Sequence, residues 1–181
     1  MVYSCHFQTP LGTITLASDG TELIGLWFER QKHCMEGMPV SVARDDLPVF
    51  DQTRLWLGTY FSGSVPDFTP PINPNGTDFQ KDIWALTQSI PYGMLTTYSE
   101  LARLYTEHIR GRKTSPRAVA AALSKNPILL IVPCHRVIAA NGALSGYAAG
   151  TGRKFFLLEM ERDVSSEPLR AEPSPPEALR N

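Results

Sequence analysis

The chain has 181 residues, 43% of them apolar and 19% charged, so it can bury a core in one domain or two small ones and is neither disordered overall nor fibrous. Its longest apolar runs, Ala118–Leu123 and Ile128–Val132, fall far short of the roughly 18 residues of a membrane span. Met1–Gln8 has no basic start or apolar signal segment, so the expectation is an intracellular protein without membrane contact, cytoplasmic or, in a eukaryote, nuclear.

The net charge of −1 hides an asymmetry: residues 1–76 hold 4 basic and 8 acidic side chains, residues 77–162 hold 11 and 6, and residues 163–181 hold 2 and 4. A basic middle between acidic flanks suggests a polyanionic partner. Cys5, Cys34 and Cys134 form no even, closely spaced framework, so free thiols are expected.

The first thirty residues read as an antiparallel meander, with strands at Ser4–Phe7, Thr13–Ala17 and Leu23–Phe28 and turns at Pro10-Leu11-Gly12 and Asp19-Gly20. After a polar stretch, Val49–Phe61 places Phe50, Leu55, Leu57, Tyr60 and Phe61 at loosely helical spacing, which predicts one helix packed on the sheet. These elements define an N-terminal α/β domain, an antiparallel sheet plus helix, over 1–63. Residues 64–76 hold four prolines and read as a linker, because proline removes a donor and constrains its predecessor.

Helix signals dominate the domain expected over 77–164. Thr77 and Gln80 make a capping box before Phe79, Ile83, Trp84 and Leu86, and Pro91-Tyr92-Gly93 stops that helix. Thr97 with Glu100 repeats the pattern before Leu101, Leu104 and Tyr105. Ser115-Pro116 is an N-cap followed by proline at the first helical position, and that helix runs to about residue 124. A last helix starts at Thr151 and carries Phe155, Leu158 and Glu161. The helices near 98–105 and 116–124 resemble a helix-turn-helix pair, with some nine or ten residues between them where the motif has a turn of about three or four. Residues 165–181 are proline-rich and poor in apolar residues, and are expected to be disordered.

The sharpest chemical feature is Ile131-Val132-Pro133-Cys134-His135-Arg136-Val137, a thiol beside an imidazole after an apolar run. A thiol attacks as its thiolate, and a neighbouring base lowers the cost of making it. On that alone, a cysteine after an apolar run is more often a small core residue.

The wider sequence tips the balance. Pro133-Cys134-His135-Arg136-Val137, Asn141-Gly142, Gly146 to Gly150, Arg153-Lys154, Leu157-Leu158 and Glu161 resemble the signature of the O6-alkylguanine-DNA alkyltransferases. Gly76 to Gln80, Trp84, Ile90 to Gly93, Tyr98, Leu101-Ala102, Arg117-Ala118-Val119 and Asn126-Pro127 match the same family in the same order. The match is dense over 76–162 and loose in the N-terminal half, through its strand pattern and Thr9-Pro10-Leu11-Gly12.

The resemblance implies an all-α, winged-helix-like C-terminal domain with a variant helix-turn-helix. Its function would be single-turnover DNA repair, with no cofactor, by a monomer acting on double-stranded DNA. O6-alkylguanine, mainly O6-methylguanine, would be flipped from the duplex and its alkyl group moved irreversibly to Cys134. His135 would be the base that draws off the thiol proton through a bound water. Glu161 would orient His135, Asn126 would hold the active-site turn, and Tyr98 would protonate N3 of the departing guanine. Arg117 would fill the gap in the stack, Tyr147 would wall the pocket, and the backbone near Val137 and Ala148 would bond the guanine edge. Ser99 and Ala140, with the start of the 116–124 helix, would meet the DNA backbone.

The chemistry needs these residue types. Displacement at an alkyl carbon requires a soft nucleophile and a leaving group whose charge is quenched. A thioether then has nothing to hydrolyse, so the product is permanent. The target carbon is inaccessible in a stacked duplex, hence base flipping.

This chain departs from the family in three places. About five extra residues within Thr106–Thr114 include Arg110, Arg112 and Lys113, which could add phosphate contacts. Ala120-Ala121 stand where relatives often have glycine. Ala149 stands where many have glycine and others a bulkier residue, and it should narrow the pocket and favour methyl over benzyl-sized adducts. Cys5-His6 and His33-Cys34 lie off the family's zinc-ligand positions and lack its spaced pairs, so no metal is expected. Two other classes remain in view: a non-catalytic lesion-binding or regulatory module, against which Cys134 argues, and a cysteine hydrolase on Cys134, His135 and Glu161, which would need an oxyanion hole the sequence does not announce.

Overall fold

The computed structural model describes residues 1–109, 112–144 and 146–164, and for Asp163 and Val164 the backbone alone. Arg110 and the segment 165–181 lie outside the described residues. The chain divides into two compact units, the first comprising Met1–Asn75 with Pro127–Leu129 and the second comprising Gly76–Asn126 with the residues from Leu130 onward.

In the first unit, β1 (Val2–Thr9), β2 (Gly12–Ser18), β3 (Leu23–Phe28) and β4 (Ser41–Ala43) form a four-stranded sheet of order β3-β2-β1-β4. The meander is antiparallel as the turns imply, and the short strand β4 joins its edge parallel to β1. Strand alternation and register set Ile14, Leu16, Leu26 and Phe28 on one face, all fully buried. The helix α1 (Pro48–Phe61) packs against β1 and β2 and contributes Phe50, Leu57 and Tyr60 to the core. On the opposite face Val2, Ala17 and Trp27 form a second cluster, and the polar stretch covers it with Cys34, Met35 and Met38.

The proline-rich segment is not a free linker along its whole length. Leu23 N–H donates to the Pro71 carbonyl at 2.8 Å and Asn73 N–H donates to the Leu23 carbonyl at 2.8 Å, so this segment lies along β3. Pro127–Leu129 joins the same strand further on, where Ile128 bridges Leu26 in parallel.

The second unit contains α2 (Asp78–Gln88), β5 (Thr96–Thr97), α3 (Tyr98–His108), α4 (Pro116–Ser124), β6 (Val137–Ile138) and α5 (Thr151–Val164). The capping box at Thr77 and Gln80 is complete. Thr97 caps α3 by accepting from Glu100 N–H, while the Glu100 carboxylate turns to Arg103. Ser115 caps α4 ahead of Pro116. Helix α3 runs on to His108, so fewer residues separate it from α4 than expected. The unit is not all-helical: β5 and β6 pair in parallel, Thr96 opposite Val137 and Thr97 opposite Ile138. Helices α2, α3 and α4 pack on one another around Ile83, Trp84, Leu101 and Val119. Trp84 Nε1 donates to the Ala122 carbonyl at 2.9 Å, which satisfies the polar end of a buried indole.

Candidate active site

Three local devices in the second unit bring Cys134 to its position. Leu130 takes a left-handed φ of 69°, a conformation that disfavours a side chain with a Cβ, and redirects the backbone. Pro133, with φ −81° and ψ 60°, forms an inverse γ-turn in which Cys134 N–H donates to the Val132 carbonyl at 2.8 Å. A single 3-10 turn over Cys134–Arg136 follows and leads into β6. The apolar run before Cys134 is therefore a buried, irregular segment.

Asn126, at the end of α4, holds this loop from the side. Its Nδ2 donates to the Val132 carbonyl at 2.9 Å and to Cys134 Sγ at 3.3 Å. The expected role of holding the turn thus comes with a second one, since a donor on sulfur favours the thiolate. Burial pushes the Cys134 thiol up to about 11, against the Asn126 hydrogen bond and the charge of Lys154. At rest the sulfur is a neutral thiol shielded from solvent.

Glu161 collects the remaining polar groups. Its Oε1 meets His135 Nε2 at 2.7 Å and Arg136 Nη2 at 3.0 Å, and its Oε2 accepts from Arg136 Nε at 2.8 Å and from Gly93 N–H at 3.1 Å. Gly93 reaches the carboxylate from a left-handed φ of 76°, which the absent side chain permits. Burial opposes the charge on Glu161, but His135 and Arg136 together hold its carboxyl far below the usual range. Arg136 also donates to the Ile90 carbonyl at 2.7 Å and serves as an ion-pair partner.

Burial pushes His135 down, outweighing the attraction of Glu161, so its ring rests neutral and can accept a proton. With Nε2 engaged by Glu161, that proton must arrive at Nδ1. The ring of Tyr147 stands edge-on to His135 with centroids 6.4 Å apart, and burial raises its phenol well above the ordinary value. The Tyr147 hydroxyl is buried and has no hydrogen-bonding partner among the described residues, which suits a pocket wall whose polar end is satisfied by a ligand.

Tyr98 opens α3 directly after β5, which ties it to β6 and hence to the turn carrying Cys134. Its hydroxyl lies close enough to Gly146 that a Cβ there would sit 3.3 Å away. Burial, then the nearby Cys134, raises its phenol and keeps it protonated.

The structure thus gathers Cys134, His135, Glu161 and Asn126 into one buried cluster, with Tyr98 and Tyr147 coupled to it. Ala149 is buried and Ala148 half-buried, while Arg117, Ser99 and Ala140 are exposed. Val137 carries a feature the sequence reading missed: its carbonyl accepts from Lys154 Nζ at 2.6 Å. The spacing Lys154, Leu157, Glu161 could have revealed it, because these positions share one helix face.

Cys5 is buried in β1 while His6 is exposed, and the described residues contain no group of three or more His, Cys, Asp or Glu side chains able to hold a metal. No helix among them is long and apolar enough to cross a membrane.

Together these features define a class: an N-terminal sheet unit and a helical unit that holds a buried cysteine thiol beside a histidine–glutamate pair. The chain belongs to the 6-O-methylguanine DNA methyltransferases, whose ribonuclease-like domain matches residues 1–74 and whose DNA-binding domain matches residues 78–163.

Relatives named methylated-DNA–protein-cysteine methyltransferase support the assignment. The protein from Methanosarcina acetivorans is 39% identical over 160 residues, 88% of this chain and 98% of its own. That from Haemophilus influenzae is 37% identical over 162 residues, 89% and 87% respectively. The solved structure of Mycobacterium tuberculosis OGT in complex with DNA aligns with a TM-score of 0.75 at 36% identity, covering 90% of this chain and 94% of that one. The reading as a non-catalytic lesion-binding module falls with these findings.

Proposed function

We propose that this protein repairs O6-alkylguanine in double-stranded DNA by taking the alkyl group irreversibly onto Cys134, one group per molecule, as a monomer in the cytoplasm or in a eukaryotic nucleus. The observation that carries this reading is the buried Cys134 thiol, held by the Asn126 amide beside a neutral His135 whose far nitrogen is fixed on Glu161.

The sequence of events follows from these groups. Arg117, on the exposed first turn of α4, fills the space that the flipped base leaves in the stack, and Ser99 and Ala140 meet the DNA backbone. With the base seated against Tyr147, Ala148 and Ala149, the thiol proton passes through a water to His135 Nδ1, and Glu161 stabilises the imidazolium. The thiolate forms a sulfur–carbon bond as the carbon–O6 bond breaks. The electron pair stays on guanine, and Tyr98 donates its proton to N3, so neutral guanine leaves. The imidazolium and the phenolate then neutralise one another through solvent. Guanine and a thioether at Cys134 are the products.

The test is to incubate the protein with a duplex bearing O6-methylguanine and weigh it. One methyl group should appear on Cys134 and be absent in Cys134→Ser. Tight binding without mass gain would overturn the reading, as would turnover of an ester or peptide. With an O6-benzylguanine duplex in the same assay, the narrowing by Ala149 predicts slower transfer than with methyl, and equal or faster transfer would remove that part.

A further inference from the structure

Lys154 is a buried cation without a task in the mechanism above. Its side chain is 0% exposed, on the inward face of α5 with Leu157 and Glu161. Its ammonium donates to the Val137 carbonyl at 2.6 Å, and no carboxylate of the described residues lies within ion-pairing distance of it. Glu161 shares the face, but both its oxygens are occupied by His135, Arg136 and Gly93. An unbalanced buried charge is costly, and a leucine or methionine of similar volume would avoid the cost. A group that could balance it stands nearby: Cys134 once it has lost its proton.

We infer that Lys154 is a positioning residue whose ammonium supplies the counter-charge to the Cys134 thiolate during alkyl transfer, while its hydrogen bond to Val137 fixes the turn on which that thiolate forms. The inference rests on Cys134 being the alkyl acceptor. The other ionisable groups at this end of the unit leave the part open. Glu161 is matched by Arg136, His135 is driven toward its neutral form by burial and by the two cations, and Tyr98 and Tyr147 are buried phenols. Lys154 and Cys134 each ease the other's burial: the lysine is held down to about 8 by desolvation against the pull of Cys134, and the thiol is held up to about 11 by desolvation against the pull of Lys154. The tether also reaches the acid, because Val137 pairs with Thr96, and Thr97 caps the helix that Tyr98 opens.

Before the proton leaves, the pair is ammonium and thiol. When the proton has passed to His135, it is ammonium and thiolate, which neutralise one another, while the imidazolium stays on Glu161. After transfer, the sulfur is a neutral thioether.

Three variants separate charge from tether in the full chain: Lys154→Arg keeps charge and donor, Lys154→Gln keeps a donor alone, and Lys154→Met keeps neither. Methyl transfer is timed at saturating O6-methylguanine duplex from pH 6.5 to 10.5, and the thiolate absorbance of Cys134 is titrated in a Cys5→Ser, Cys34→Ser background. The expected result is transfer at least tenfold slower in Lys154→Gln and Lys154→Met at pH 7.5, a deficit that narrows toward pH 10, a thiolate titration moved upward, and recovery of most of the rate in Lys154→Arg. If Lys154→Met does not fold, the comparison of Gln with Arg decides. Wild-type rate in Lys154→Gln overturns the inference, as does an equal slowing at every pH with the thiolate titration unmoved. Failure of the wild-type protein to gain mass on Cys134 overturns the proposed function instead.

Discussion

Asn126 directs its amide nitrogen at two targets in one loop, the Val132 carbonyl at 2.9 Å and Cys134 Sγ at 3.3 Å. The first fixes the turn and the second stabilises negative charge on sulfur, so the two roles reside in one side chain. A hydrogen bond to a charged group contributes about 1.5–3 kcal/mol, which corresponds to roughly a 10- to 100-fold change in rate. Asn126→Ala should therefore transfer methyl that much more slowly at saturating DNA, measured by single-turnover mass analysis, with the protein still folded by circular dichroism. A rate within twofold of wild type would show that the hydrogen bond to sulfur carries no weight. The adjacency of Cys134 and His135 was legible in the sequence, since a thiol beside an imidazole is a chemical signal at any fold. The contacts of Glu161 and Asn126 were legible only through family resemblance, because 26 residues separate His135 from Glu161 and the γ-turn at Pro133 decides where the sulfur points.

Elements with strong local signals came through clearly: β3 spans Leu23–Phe28 and α4 spans Pro116–Ser124, where strand run, N-cap and first-turn proline agree. Three features escaped local reading for physical reasons. The strand β4, Ser41–Ala43, has no apolar alternation, and its existence depends on β1 offering an edge. The segment around Pro71 lies on β3 because proline loses its donor but keeps its carbonyl, and Leu23 N–H uses that carbonyl. Lys154 escaped for the opposite reason, since a helical lysine is read as solvated. The connection from α3 to α4 carries this member's own sequence, and Arg112 and Lys113 within it are exposed. If they and Arg110 neutralise phosphates, alanine at all three should lower the slope of log affinity against log salt by about 0.9 for each phosphate no longer neutralised, roughly 2 to 3 in total. Affinity and slope both unchanged in a titration from 50 to about 200 mM salt would mark the loop as a solvated face.

For the whole molecule, the buried thiols tie stability to alkaline pH. Cys134 and Cys5 are both pushed up from 9.0 to about 11, chiefly by burial, and Cys34 is raised in the same direction. A group whose acid form is favoured in the folded state keeps its proton there while the unfolded chain releases it. Its contribution is fully present below the unfolded value and is lost as pH rises through the folded one. For Cys134 the window is pH 9 to 11, and two pH units correspond to about 2–3 kcal/mol. Lys154 works against this, because burial lowers it from 10.5 to about 8, so the unfolded chain holds the extra proton and this group adds stability as pH rises from 8 to 10.5. Above pH 9 the raised thiols outnumber the one lowered lysine, so stability falls with pH, and the separate contribution of Cys134 is read from a difference. Urea unfolding of wild type and Cys134→Ser, followed by tryptophan fluorescence and circular dichroism at pH 8, 9, 10 and 11, reads it together with its coupling to Lys154, since Cys5 and Cys34 are common to both. Wild type should lose about 2–3 kcal/mol relative to the serine variant across that range. Parallel curves would mean that the thiol titrates alike folded and unfolded, and that its burial is breached in solution.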